Sequence, residues 1–352
     1  MKTLASAIAL LSFMSISAFA ESKPKILVVV SGSEFVSTKE GGKHPTGYFL
    51  PELAGPVAAL LKAGYEITYA NPNGAAAVMD RISDDPRWFE DEEEYRAAKH
   101  LVESQSGLKT PKRLSSLTDH DLARFSGILV PGGHAPMEDL ANDQDMGRVL
   151  RHFHSLSKPT ALICHGPVAL LSAKSLDRAW VYQDYRMTGF STTEEKQEEQ
   201  AGVFGGQLLF YLEDELLKAG GKVVVSKPWT SNVIRDRELI TGQNPMSEKA
   251  FTALLLEALT AYRLADGSIH GGAMSRRNRC LSEAKLQARI FSAKENNLPV
   301  STIRVLEWFF VEEVDGVLYY GIRLDTYENV NIGLRKNDCV LAHEPNYVTD
   351  GF

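Results

Sequence analysis

Cysteine is scarce, three residues in 352, and no two of them form a C-x-x-C pair. Neither a zinc knuckle nor a thioredoxin-type couple is therefore available. A basic excess is missing too: 38 Lys and Arg stand against 45 Asp and Glu, a formal net charge of -7. That removes the broad attraction to phosphates on which non-specific nucleic-acid binding depends, so no nucleic-acid partner is expected. Walker-type phosphate loops and His-Glu-x-x-His are absent, which sets aside those nucleotide and zinc-protease chemistries. There is no internal repeat, and only one long apolar run. The chain is nonetheless 44% hydrophobic and 24% charged, the balance of a protein that buries a sizeable core.

The one apolar run is amino-terminal. Lys2 precedes a nearly uncharged stretch from Leu4 to Phe19, ending in Ala18-Phe19-Ala20 before Glu21-Ser22-Lys23. A basic start, a short apolar middle and a small-residue exit describe a cleavable secretory signal over residues 1–20. The mature protein is then expected in the periplasm or outside the cell, without a membrane span. In such an oxidising compartment the odd cysteine count leaves at least one thiol free or paired between chains. We expect a Cys280–Cys339 disulfide in the last segment, with Cys164 as the free thiol.

From Lys25 onward short β-branched runs alternate with helical stretches, the pattern of a parallel sheet with crossover helices. Strands are predicted at Ile26–Val30, Tyr65–Tyr69, Ser126–Val130, Thr160–Ile163 and Lys222–Val225. A shorter one falls near Met187-Thr188, and a hairpin-like pair at Val233-Ile234 and Glu238–Thr241. Helices are predicted at Tyr48–Lys62, Asp145–Leu156, Pro167–Ala173, Gly206–Lys218 and Ser247–Arg263. The fold class is α/β, a doubly wound, flavodoxin-like, mostly parallel sheet with helices on both faces over residues 21–267. Between Asn71 and Leu117 the alternation breaks, and a charged helix from Trp88 to Val102, with Asp91 and Glu92–Glu94 at its start, reads as a cap over the sheet edge. Acids in that first turn suit the helix dipole. Residues 268–352 read as a small separate module. A helix over Leu281–Asn296 precedes three β-rich runs, Thr302–Val311, Val317–Leu324 and Val330–Leu334, with Asp315-Gly316 as a hairpin turn.

Chemistry concentrates at two predicted strand ends. In Lys158-Pro-Thr-Ala-Leu-Ile-Cys-His-Gly-Pro167 a buried strand runs directly into a helix with Cys164 at the junction. A tight turn there lifts a nucleophile off the strand, and the first amides of the helix favour thiolate over thiol. His165 adjoins it, and Gly166 leaves room for close backbone approach. In Gly127-Ile-Leu-Val-Pro-Gly-Gly-His134 the glycine pair permits a turn whose amides can face a developing oxyanion. His152 and His154 lie two apart on a helix and so point to different faces, which argues against a metal site.

Taken together, Thr46-Gly-Tyr-Phe-Leu-Pro-Glu52, Lys109-Thr-Pro111, Pro131-Gly-Gly-His134, Ile163-Cys-His-Gly-Pro167, Thr188-Gly-Phe190 with its following acids, and Leu239-Ile-Thr-Gly-Gln-Asn-Pro245 carry a family likeness. Over residues 25–265 the chain resembles the ThiJ/PfpI branch of the class I glutamine amidotransferase-like superfamily, in particular its glutathione-independent glyoxalases. The resemblance implies Cys164 as nucleophile and His165 as its general base or acid. It implies Glu195 as the carboxylate orienting the imidazole, with the neighbouring Glu194 one register position away. It places Glu52 beside the sulfur, Gly133 and the His165 amide as oxyanion donors, and His134 in contact with substrate. Ala135 stands where a glycine often follows that histidine, and the carboxy-terminal module is extra. A dimerising surface is also implied, which such a module can cover. No cofactor and no metal are assigned.

The activity this implies is a Cys-dependent lyase that converts methylglyoxal or a related 2-oxoaldehyde, a small dicarbonyl substrate, to a 2-hydroxy acid without glutathione. A Cys-dependent amidase or peptidase on the same site, and a holding chaperone of the cell envelope, are the alternatives.

Overall fold

A computed structural model of the chain describes residues 23–174 and 179–265, and four strands within 305–347. The expected leader, the helix at Leu281–Asn296, the turn at Asp315-Gly316 and the Cys280–Cys339 pairing lie outside the described residues.

The core is a seven-stranded sheet. In chain order its strands are β1 (Lys25–Val29), β4 (Glu66–Asn71), β5 (Lys112–Arg113), β6 (Phe125–Val130), β7 (Thr160–Ile163), β10 (Val233–Asp236) and β11 (Leu239–Gly242). Two short pairs lie outside it: β2 (Phe35–Ser37) with β3 (Lys43–Pro45), and β8 (Arg186–Met187) with β9 (Lys222–Val223). The spatial order is β10-β11-β7-β6-β1-β4-β5. All neighbours run parallel except β10, which folds back antiparallel on β11. The winding reverses between β1 and β6, and in open α/β sheets the crevice beyond the carboxyl ends at such a reversal takes ligands. Consecutive strand residues face opposite sides, and Ile26, Leu27, Val28 and Val29 are all fully buried, so both faces of the sheet are covered.

Among the described residues, the α-helices of seven residues or more are α1 (Leu50–Lys62), α2 (Glu92–Ser104), α3 (Gln144–Ser155), α4 (Thr192–Gln200), α5 (Leu212–Lys218) and α6 (Glu248–Ala265). α1 packs against α2 and α6, and α3 against the segment after β7. Phe49 is the N-cap of α1 and Pro51 lies in its first turn, where a missing N–H costs nothing because that donor has no intrahelical partner.

Several expectations need correction. The helix expected at Pro167–Ala173 is present, as a 3-10 helix over Gly166–Ala173, while other elements differ. The helix before Ala219 begins only at Leu212. Upstream, the amides of Gln207 and Leu208 are taken by the carboxylates of Glu40 and Glu199, which holds the chain extended. The strand at Lys222–Val225 ends at Val223 and pairs with β8 outside the main sheet, and Val224 and Val225 are exposed. The charged helix begins at Glu92, capped by the Asp91 side chain, while Trp88 belongs to a separate 3-10 turn. It lies on α1, and the sheet edge is closed by β5.

The carboxy-terminal strands β12 (Val305–Val314), β13 (Val317–Leu324), β14 (Asn329–Arg335) and β15 (Asn346–Tyr347) form a four-stranded antiparallel meander.

Candidate active site

The site sits beyond the carboxyl ends of β6 and β7. Directly after β7, Cys164 has φ 61°, a left-handed conformation that non-glycine residues adopt rarely and that a tight strand-to-helix elbow imposes. Two backbone bonds hold the elbow: the Cys164 N–H donates to the Gly242 carbonyl at 2.9 Å, and the Phe190 N–H donates to the Cys164 carbonyl at 2.9 Å.

Glycine at two neighbouring positions creates the space. A Cβ at Gly132 would lie 2.4 Å from Cys164 Cβ, 2.6 Å from Glu52 Oε2 and 2.9 Å from the sulfur. Gly133 has φ 84°, and a Cβ there would overlap the Gly47 carbonyl. The α1 amino terminus is tied to this turn, since the Phe49 N–H donates to the Gly132 carbonyl at 3.0 Å. That tie delivers Glu52 to the sulfur.

Five of the residues named from sequence converge here. Cys164 Sγ lies 3.2 Å from His165 Nδ1, and His165 Nε2 lies 2.8 Å from Glu195 Oε1. With the imidazole neutral, Nε2–H donates to the carboxylate and Nδ1 accepts from the thiol. Glu52 is fully buried, and its Oε2 accepts the Gly132 N–H at 3.1 Å. Its Oε1 has no hydrogen-bond partner among the described residues. The Gly133 N–H points at the sulfur.

Glu194 does something else. Ser191, Thr192, Thr193 and Glu194 begin α4 as a capping box, and the Glu194 carboxylate also accepts from the Trp229 N–H at 2.7 Å, Gln243 Nε2 at 3.0 Å and Asn244 Nδ2 at 2.7 Å. It fastens α4 to the strand β11 loop. The capping spacing S-x-x-E was visible in the sequence and marks Glu194 as the structural partner.

His134, expected to meet substrate, has protein partners in the site. The residue is 8% exposed, and its Nε2 is turned to two carboxylates, 3.3 Å from Glu195 Oε2 and 3.3 Å from Glu198 Oε2. Glu198 was not singled out from sequence, although it follows Glu195 by three residues and so shares its helix face. Phe190 stacks on His165 at 4.4 Å, Phe204 meets His134 edge-on at 4.7 Å, and Trp229 packs on Phe190 at 5.5 Å. His152 and His154 are elsewhere, the latter 2.7 Å from Glu238.

Burial and charge set the protonation pattern. Burial pushes the Glu52 carboxyl up to about 8, against the hydrogen bonds that favour its charged form. Burial, and then the charge of Glu52, push the Cys164 thiol up. This overturns the expectation of a resting thiolate: only a short 3-10 segment with Pro167 at its start follows the cysteine, and its amides do not outweigh desolvation. Burial also lowers His165 below its ordinary value, reinforced by the charge of His134. Burial opposes charge on His134, but Glu195 and Glu198 outweigh it and push that ring up to about 10. At neutral pH the site therefore holds a thiol, a neutral His165, a charged His134, ionised Glu195 and protonated Glu52. His134, His165 and Glu195 present donor atoms within 4.8 Å of one another. That set suits a divalent ion, but here each donor is engaged by another.

No helix among the described residues is long and apolar enough to cross a membrane. Among known proteins, the family model described as "DJ-1/PfpI family" matches residues 47–258. The "Glutamine amidotransferase-like class 1 domain-containing protein 1" of Bos taurus is 31% identical over 227 residues, 64% of this chain and 90% of the relative. The "Protein/nucleic acid deglycase HchA" of Escherichia coli O157:H7 is 27% identical over 243 residues, 68% of this chain and 83% of the relative. The crystal structure of glyoxalase III from Candida albicans superposes with a TM-score of 0.55 at 20% identity, covering 67% of this chain and 97% of that one. That last likeness is one of fold.

Proposed function

Since the chain belongs to the DJ-1/PfpI family, we propose that it is a cofactor-independent lyase that converts methylglyoxal or a related 2-oxoaldehyde to the 2-hydroxy acid. The observation that carries this reading is the single constellation at the β7 elbow, a thiol flanked on one side by a neutral imidazole and on the other by a protonated carboxyl.

Each group has a use. Cys164 Sγ attacks the aldehyde carbon as His165 Nδ1 takes the thiol proton, and Glu195 stabilises the imidazolium that forms. The Gly133 and His165 amides bind the new oxyanion, which takes up the proton to give a hemithioacetal. A proton then moves from C1 to C2 through an enediol, relayed by Glu52 and His165, leaving a thioester on Cys164. Water attacks the thioester, the S–C bond breaks, and the hydroxy acid leaves. No net oxidation occurs, so neither a redox cofactor nor glutathione is called for. Glu52 suits the relay because burial sets it near the working pH.

The name of the Escherichia coli relative favours a second reading on the same sulfur, in which the carbonyl is removed from an amine or thiol already modified by it. The Leu4–Phe19 run adds a location to both, outside the cytosol, where the carbonyls met need not be those of central metabolism. The test is direct. Purified protein should form lactate from methylglyoxal with no added thiol, and Cys164→Ala should not. Equal turnover by the two proteins rejects the mechanism. Release of free amine from a glycated peptide, without turnover of free methylglyoxal, selects the second reading.

A further inference from the structure

The steps above leave one buried charged group of the site unused. The His134 ring lies against His165, centroids 3.9 Å apart and planes tilted by 42°, and Phe204 meets it edge-on at 4.7 Å. Glu195 is shared between the two rings, one oxygen to each: Oε1 to His165 at 2.8 Å and Oε2 to His134 at 3.3 Å. A carboxylate held by one oxygen can twist and carry its partner ring with it. Held by both, its plane is fixed, and so is the direction of His165 Nδ1. Without a cation at His134, the carboxylates of Glu195 and Glu198, each 3.3 Å from its Nε2, would repel with no positive charge between them.

We propose that His134 is a positioning residue for the Cys164 reaction, pinning Glu195 by its second oxygen so that His165 keeps Nδ1 on the sulfur. The inference rests on the reading of Cys164 as nucleophile and His165 as its base. The titratable groups that face His134 are His165, Glu195 and Glu198, with Glu52 and His44 further off. The carboxylates of α4 keep the ring charged, and burial first, then that charge, keep the adjacent His165 free of a proton and able to accept one from the thiol.

The experiment needs no substrate. Alkylation of Cys164 by iodoacetamide is followed against pH by peptide mass, in wild type and in His134→Gln. Below the raised ionisation of the thiol itself, alkylation depends on His165 Nδ1 taking the thiol proton, so in wild type the rate falls on an acid limb below pH 6.5, the ordinary value from which His165 is lowered. In His134→Gln the imidazolium that opposes charge on His165 is gone, so the limb moves up by about one pH unit, a roughly tenfold loss of rate on that limb. A folded His134→Gln protein with an unmoved limb overturns the proposal. Nitrogen-15 histidine spectra of the wild type decide independently of any variant. Both nitrogens of His134 protonated at pH 7 to 8, with His165 neutral, is the expected pattern, and a neutral His134 contradicts it. If the limb shifts but no lactate is ever formed, the substrate reading fails while this role stands.

Discussion

The protonation of Glu52 can be read from stability before any assay of activity. Its carboxyl is fully buried; the Gly132 N–H donates to Oε2, the Cys164 thiol is its other hydrogen-bonding neighbour, and Oε1 has no partner among the described residues. Burial raises it from 4.5 to about 8. A group raised on folding contributes stability that is fully present below its unfolded value and lost as pH rises through its folded value. Between those two values the wild type should lose up to about 1.4 kcal/mol of stability per pH unit through this residue alone, a slope that fades near pH 8, so that the loss from pH 5 to pH 8 is about 3.5 kcal/mol. Glu52→Gln keeps the shape and the acceptor for the Gly132 amide but has nothing to ionise. The assay is urea unfolding of both proteins at several pH values, followed by tryptophan fluorescence. The difference between them should move by about 3.5 kcal/mol in favour of Glu52→Gln as pH rises from 5 to 8. A difference flat to within about 0.5 kcal/mol, close to the error of extrapolation, would mean that the carboxyl is already ionised at pH 5. The proton relay assigned to Glu52 would then lose its basis.

Further consequences follow from the same geometry. Gly132→Ala places a methyl 2.4 Å from Cys164 Cβ, so the sulfur must shift; the alkylation rate of Cys164 should fall by about two orders of magnitude, with a stability loss of about 1–3 kcal/mol, read by mass spectrometry and melting. The adjacent acids should separate cleanly. Glu194→Ala strands the donors of Ser191, Trp229, Gln243 and Asn244 and should cost about 3 kcal/mol or more of stability. Glu195→Gln should instead lower kcat by roughly a hundredfold or more through the imidazole it orients, and matching effects from both variants would contradict the division of roles. The raised value of His134 has the same sign as that of Glu52: its stabilisation is complete below pH 6.5 and lost as pH rises to about 10. Wild type should therefore lose stability over that window relative to His134→Gln, as melting temperatures at successive pH values will show.

The parts of this molecule legible in its sequence are those governed by local pattern. Ile26–Val29 and Thr160–Ile163 read as buried strands because nearly every position is apolar or β-branched, and they are buried on both faces. The elbow at Cys164 was legible because a strand, a cysteine and a glycine two residues on leave few alternatives. What escaped was decided by distant partners. Gly206–Tyr211 has no helix because Glu40 and Glu199, from other segments, take its amides. The resting state of the thiol escaped because the local cue, a following helix, is weaker than burial under α1 and the Glu52 carboxyl. The pairing of His134 with Glu195 and Glu198 joins the end of β6 to α4, and no spacing announces a contact over that range. The choice between Glu194 and Glu195 differs in kind, since the capping box at Ser191 carried it in plain view.

The most direct test is to trap the covalent intermediate. Wild-type protein mixed with methylglyoxal, quenched in acid within milliseconds to seconds and kept acidic through digestion, should carry a lactoyl thioester on the peptide that contains Cys164, and Cys164→Ala should carry none there. Adducts confined to lysine and arginine, with Cys164 unmodified while lactate accumulates, would contradict the account at its centre.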